Sequence, residues 1–313
     1  MSTHNPWVVA GQSPGYGWTR LARGLHYQGP PTGDLCIRVL AWQRILRDTG
    51  AFTHLTSALL RGWWMPPLPA ELPVWVVQSA AQNESERPGL KVIRRAVAPD
   101  TVLVDGVVHT RPAETLVHCA LDMGVLDVVV MADSALRNGD VRLGELEAVA
   151  RQRRRGAPKL RQALPLLDAR SESPWESLLR VLHLVCGIDV EPQREFYDAS
   201  GFVARADLWL VGTSMIHEYD GAVHLTSDAQ RSDLRRLRRL TNARLQRRGY
   251  VADDLLTRAG AILRDADQAI GRPHDPGRVG AWYALLNDSL FSSSGFARFC
   301  ARLERFPHRK LVA

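Results

Sequence analysis

Residues 202–219 read FVARADLWLVGTSMIHEY, and how this stretch folds back on itself decides the organisation of the second half of the chain. Two apolar runs, Phe202–Val211 and Ser214–Tyr219, flank Gly212-Thr213, and a two-residue loop with glycine first is a hairpin signal. If Val211 and Ser214 close that loop, Asp207 falls directly opposite Glu218, and Arg205 opposite Asp220. Side chains alternate along a strand, so Asp207, Glu218 and Asp220 then share one face. A three-residue loop, Gly212-Thr213-Ser214, would slip the pairing. Like charges placed opposite one another destabilise a sheet by a few tenths to about 1 kcal/mol, and a divalent cation between them reverses that sign. Hard ions such as magnesium take carboxylate oxygens and keep waters that can be activated for attack. The competing reading leaves Asp207 and Glu218 as solvated charges that blunt a sheet edge.

Upstream, Ser173-Pro174-Trp175-Glu176 precedes Leu178, Leu179, Leu182 and Val185 at helical spacing. Ser at the N-cap, Pro at the first helical position and Glu at the third form a capping box, which accounts for Glu176 as a helix-start device. The same carboxylate could also serve the acidic face. Downstream, Gly221 permits a tight turn and His224 follows two carboxylates closely enough to be a candidate general base or phosphate contact. Gln230, Asp233, Leu237 and Leu240 recur at helical spacing, with arginines at 231, 235, 236, 238, 239, 244, 247 and 248 around them. This long basic helix could hold a polyphosphate backbone, or be simply a solvated charged face.

The rest of the 313 residues divides around this region. Residues 1–35 are rich in Gly, Pro and aromatics and read as irregular. Helices are expected from Ile37 to about Thr49 and from Leu55 to Trp63. Strands follow at Val74–Gln78, Lys91–Ala96 and Val102–His109, the last turning at Asp105-Gly106, and a helix spans Arg111–Met123. Residues 1–150 thus read as an α+β region. Arg151 to Lys159, basic and broken by Gly156 and Pro158, opens a linker over 151–170; the alternative is the solvated end of a helix. A tail over 271–313 carries helices at Val279–Leu290 and Phe296–Phe306, and its apolar residues from Trp282 to Phe306 could dock a protein partner.

Composition bounds the function. A hydrophobic fraction of 45% with 23% charged residues is ordinary for a globular protein and argues against disorder. The net charge of +7 is carried by arginine, since the lysines are Lys91, Lys159 and Lys310 alone. Guanidinium groups suit phosphate, so nucleic acid is a reasonable partner; GC-rich coding is the plainer explanation. Cys36, Cys119, Cys186 and Cys300 show neither zinc-site nor disulfide spacing, which suits free thiols in a cytosol. The longest apolar run, Val125–Ala132, contains Asp127 and is too short to span a bilayer, and the expectation is a cytoplasmic protein.

Ser173-x-x-Glu176, Asp207, Glu218-Tyr219-Asp220-Gly221-x-x-His224, Gln230-x-x-Asp233-x-x-Arg236 and Gly249-Tyr250 together resemble one bacterial domain. It is related to very-short-patch-repair (Vsr-like) endonucleases of the PD-(D/E)XK superfamily. The resemblance covers roughly residues 171–260. It implies an α/β fold in which a mixed sheet is flanked by helices, with Mg2+ or Mn2+ and hydrolysis of phosphodiester bonds, DNA being expected as the substrate ahead of RNA. Asp207 and Glu218 would hold the metal with Glu176 assisting, and Asp233 and Arg236 would support the site. Asp220 stands where the superfamily usually has a lysine. The resemblance also places a strand after Tyr250, although Val251-Ala252-Asp253-Asp254 is a poor strand sequence. Gly17 to Leu25, Thr53 to Gly62 and Thr110 to Leu116 resemble the region that accompanies this domain in actinobacterial proteins, similar to AbiEi-type antitoxins. That likeness keeps a second expectation open, a catalytically silent binding regulator.

Overall fold

A computed structural model describes residues 8–12, 15–29, 34–46, 50–81, 87–199, 201–221 and 238–304. Among these, strands form three sheets joined and covered by helices, an α/β architecture.

The N-terminal stretch expected to be irregular forms a small sheet of β1 (Val8–Ala10), β2 (Trp18–Ala22) and β3 (Leu25–Gln28) in the order β1-β3-β2. Its strands are too short and too rich in glycine nearby to register as periodic patterns. Helix α1 (Leu35–Leu46) packs Val39, Trp42 and Leu46 against Leu25 and Tyr27 of that sheet.

The second sheet contains β4 (Gly50–Phe52), β5 (Val74–Ser79), β6 (Leu90–Arg95), β7 (Thr101–Val104) and β8 (Val107–Thr110), ordered β6-β5-β4-β8-β7. The turn between β7 and β8 falls at Asp105-Gly106 as expected. Both residues have positive φ, 50° and 78°, the conformation that a two-residue type I′ hairpin requires.

Helix α2 (His54–Leu60) and helix α3 (Pro112–Cys119) meet over this sheet through a buried polar chain. Thr53 Oγ1 lies 2.6 Å from His118 Nδ1 and 2.9 Å from Thr110 Oγ1, which lies 2.7 Å from Thr115 Oγ1. The Thr53–Gly62 and Thr110–Leu116 strings of the sequence are therefore two halves of one hydrogen-bonded seam.

Helices α4 (Val125–Arg137), α5 (Leu143–Ala150) and α6 (Ala157–Ala163) follow. The span read as a basic linker thus contains a helix, and Ala157, Leu160 and Ala163 are buried in the largest core. The breakers do not interrupt packing because Gly156 has φ +84° and starts α6, where Pro158 sits in the first turn.

That core crosses the boundary expected at residue 150. Leu126, Val129 and Val130 of α4 share it with Leu178, Leu179 and Leu182 of α7 (Pro174–Val185), with Leu208 and Leu210, and with Trp282 and Leu286 of the tail. Buried charges reinforce the contact. Arg180 Nη2 and Ser177 Oγ each donate to Asp133 Oδ2 at 2.6 Å, and Asp168 N–H donates to Asp133 Oδ1 at 2.8 Å.

The third sheet contains β9 (Val190–Asp198), β10 (Gly201–Leu210), β11 (Met215–Tyr219) and β12 (Gln246–Tyr250), in the order β12-β11-β10-β9. The first three run antiparallel and β12 joins β11 in parallel, so the sheet is mixed. Two of these strands depart from the sequence reading. Val190–Asp198 carries a polar, charged sequence and was not expected as a strand. Arg247 and Arg248, expected on the basic helix, lie on β12; helix among the described residues of that region covers 238–242. The strand expected after Tyr250 ends at that residue instead, and α8 (Ala252–Thr257) follows.

Helices α9 (Ala259–Ala269), α10 (Gly280–Asp288) and α11 (Ser293–Glu304) complete the described chain. The tail is built into the molecule. Trp282, Leu286, Leu290, Phe299 and Leu303 are buried, and Trp282 Nε1 donates to Leu255 O at 2.9 Å. Buried Asp127 accepts from Ser289 Oγ at 2.5 Å and from Leu290 N–H at 3.0 Å. These five of the apolar residues expected to dock a partner are used within the chain, and Phe306 lies outside the described residues. No helix among the described residues is long and apolar enough to cross a membrane.

Candidate functional site

The acidic face depends on the register of β10 with β11. Leu208 pairs with His217 and Trp209 with Ile216. Extending that ladder by one residue sets Asp207 opposite Glu218, the register that follows if Val211 and Ser214 close the hairpin. Gly212 takes φ +80° in the connection, and Trp209 Nε1 closes it by donating to Thr213 O at 2.8 Å. Ile216, Glu218 and Asp220 share a face by alternation, and Trp209 and Asp207 share the face of β10 that meets it.

Each carboxylate has a defined environment. Asp207 Oδ2 accepts the Tyr219 N–H at 3.0 Å, bridging the two strands where their ladder ends. Glu218 is buried, 3% exposed, and its Oε2 accepts from Arg247 Nε at 2.5 Å. The same guanidinium donates through Nη2 to Asp220 Oδ1. Arg247 therefore bridges Glu218 and Asp220 from the neighbouring parallel strand, where it pairs with Ile216. The same register runs Arg205 toward Asp220, and the Arg205 side chain pairs with Glu172 at 2.7 Å. Gly249, paired with Glu218, leaves space for Asp220: a Cβ there would lie 1.8 Å from Asp220 Oδ2.

Glu176 is held as a helix-start residue. Its N–H donates to Ser173 Oγ at 3.1 Å, which is the cap expected from the sequence. Its Oε2 accepts from Glu172 N–H and from Gln193 Nε2, both at 2.8 Å, so the reciprocal bond of the box reaches one residue further back than expected. Arg247 joins Glu218 to Asp220, and the ladder sets Asp207 opposite Glu218, while the Glu176 carboxylate is held at the start of α7 by Glu172 N–H and Gln193 Nε2. His224, Asp233 and Arg236 lie outside the described residues.

The opposite face of β11 carries a buried polar chain that the sequence reading missed. His183 Nδ1 lies 2.7 Å from Leu179 O, so that nitrogen carries the proton and Nε2 accepts from His217 Nδ1 at 2.8 Å. His217 Nε2, left as an acceptor, and Asp265 Oδ2 lie 3.3 Å and 3.0 Å from Tyr250 Oη, whose one proton serves one of them at a time. The chain ties α7, β11, β12 and α9 together directly behind Glu218. Burial pushes His183 down to about 4 and His217 to about 2, so both rings are neutral at pH 7. Burial, with Asp265 alongside, raises the Tyr250 hydroxyl far above its ordinary range. Trp175 stacks on Tyr219 at 5.3 Å, fixing the residue between Glu218 and Asp220. The sequence signal for this chain is only a lone histidine, His217, in the apolar run Ser214–Tyr219, which any half-buried strand can show.

Two facing carboxylates, Asp207 and Glu218, are hard oxygen donors of the type that Mg2+ or Mn2+ takes, so the fit is with that pair. Among the described residues, no group of three or more His, Cys, Asp or Glu side chains is arranged to hold a metal ion. A cavity of about 240 Å³, lined by Ser214, Met215, Gln246, Arg248, Asp265 and Gln268, lies at the other end of β11 and β12 and contains none of the three carboxylates.

No family model and no solved structure matches the chain. Two uncharacterised proteins, one in each of two strains of Mycobacterium tuberculosis, are each 33% identical to it over 120 residues. That stretch is 37% of this chain, and the chain spans 44% of the length of these relatives.

Proposed function

We propose that the region 171–270 hydrolyses phosphodiester bonds in nucleic acid, DNA foremost, using Mg2+ or Mn2+ held by Asp207 and Glu218. The observation that carries this reading is the pairing of Leu208 with His217, which sets those two carboxylates opposite each other. Two acids at that spacing are destabilising without a cation. The bound ion would polarise a phosphoryl oxygen and lower the pKa of a bound water. The protein's own part is to hold Asp207 by the Tyr219 N–H and Glu218 by the chain behind it, so that neither must reorganise when substrate arrives. Exposed arginines at 238, 239, 244 and 248 offer charge to a phosphate backbone nearby. Four unpaired cysteines suit a reducing cytosol, where we place the protein. Metal-dependent cleavage of plasmid or single-stranded DNA that disappears in Asp207→Ala tests this assignment.

A second reading has one observation in its favour. Arg247 already pairs with both Glu218 and Asp220, so part of the negative charge of this face is balanced without a metal. A binding module that keeps the fold and has lost the chemistry would show this. It would bind nucleic acid with a steep salt dependence and cut none in any divalent metal.

A further inference from the structure

Strand β12 supplies two things to the acidic face, and they are two residues apart on the same side of the strand. One is the guanidinium of Arg247, whose Nε–H meets Glu218 Oε2 at 2.5 Å while Nη2–H meets Asp220 Oδ1. The other is the missing Cβ of Gly249, which leaves the volume that the Asp220 carboxylate fills. Arginine presents its donors as a rigid planar fork, so one side chain meets two acids through separate nitrogens, where a lysine would have to reach both from a single nitrogen. Glu218 is nearly inaccessible, yet the Arg247 side chain is 23% exposed and that of Asp220 is 37% exposed. The bridge therefore spans from the interior to solvent.

We propose that Arg247 competes with the divalent cation for Glu218 and so regulates metal occupancy of the site. This rests on the nuclease reading above. A cation entering between Asp207 and Glu218 shares the Glu218 carboxylate with a guanidinium already hydrogen-bonded to it, and the two positive charges repel at short range. Binding of the ion weakens the Arg247–Glu218 bond and leaves Arg247 held by Asp220 at the exposed end of the bridge. There its charge is available to a phosphate group, the anion a guanidinium fork recognises best. Metal and nucleic acid then favour each other's binding by linkage.

The test is Mn2+ binding to the whole protein by calorimetry, comparing wild type with Arg247→Ala, Arg247→Lys and Asp207→Ala, with thermal unfolding to show that each variant is folded. Removal of a competitor tightens Mn2+ binding in Arg247→Ala by about tenfold, within the usual range for coupled sites. Arg247→Lys, which keeps the charge without the fork, falls between that variant and wild type, and keeps the test open if the alanine variant does not fold. Asp207→Ala binds Mn2+ more weakly than wild type. Equal or weaker Mn2+ binding in both Arg247 variants, with Asp207→Ala still impaired, overturns the competition and leaves the metal site standing. No Mn2+ binding by any of the four proteins overturns both.

Discussion

Replacing Gly249 by alanine sets two effects of opposite sign against each other. Glycine inside a strand is destabilising by roughly 0.5–1 kcal/mol relative to alanine, so backbone propensity alone makes Gly249→Ala stabilising. The added Cβ, however, would stand 1.8 Å from Asp220 Oδ2 and 2.7 Å from its Cγ. The carboxylate must retreat by more than an ångström, which breaks its bond to Arg247. Asp220 is 37% exposed on its side chain, so that ion pair contributes only about 0.5–1 kcal/mol after screening by solvent. Gly249 is itself exposed, and the atoms its Cβ would meet are the end of a half-exposed side chain, so the carboxylate swings outward and the strand is not crowded. The lost ion pair and the propensity gain are of similar size, and the net effect stays within about 1 kcal/mol of zero. Urea unfolding at neutral pH reads this as a nearly unchanged midpoint and slope. A loss above about 2 kcal/mol would show that Asp220 has no room to leave Gly249 and would refute a solvent-facing end of the Arg247 bridge.

Acid should destabilise the fold well before ordinary carboxylates titrate. Burial lowers His109, His118, His183 and His217 to about 4, 3, 4 and 2, below an unfolded value of about 6.5. Their contribution is full above pH 6.5 and drains as pH falls toward those values, by about 1.4 kcal/mol per unit for each ring. Asp127 and Asp133, both raised to about 6 by burial, run the other way, their contribution being lost as pH rises through 6. Four rings outweigh these two acids, so the urea midpoint at pH 5 falls below that at pH 7; an equal or higher midpoint contradicts the neutral buried histidines. Asp133→Ala leaves Arg180, 2% exposed, without its counter-ion and costs about 3–5 kcal/mol, most of which the double variant with Arg180→Met recovers. A loss under about 1 kcal/mol would mean that water reaches this pair and that α4 and α7 do not share a sealed core.

Local chemistry made much of the architecture legible. The hairpin at Asp105-Gly106, the cap at Ser173 and the register of Asp207 with Glu218 each follow from a turn residue, a capping hydroxyl or alternation, all of which act within a few residues. What escaped was set by distant partners. Gln246–Tyr250 has weak strand propensity and becomes a strand because β11 offers a parallel edge from Met215 to Tyr219. Val190–Asp198 is polar along most of its length and is held by its long antiparallel ladder with β10. Arg247 was visible only as one more basic residue in an arginine-rich run; its position between two acids depends on that parallel pairing. The join between the two halves was hidden for the same reason. Ala157 and Leu160 look like spacing between arginines in the sequence, and only the packing of α4 and α7 shows them as core.

The central claim is that Asp207 and Glu218 form the centre of a metal-dependent nuclease. Its most direct test is cleavage of supercoiled plasmid, single-stranded DNA and mismatched duplex, with Mg2+ or Mn2+, by wild type and by folded Asp207→Ala. Cutting that requires the metal and is lost in the variant is the predicted result. Cutting that persists in Asp207→Ala, or binding of all three substrates without any cutting, would contradict it.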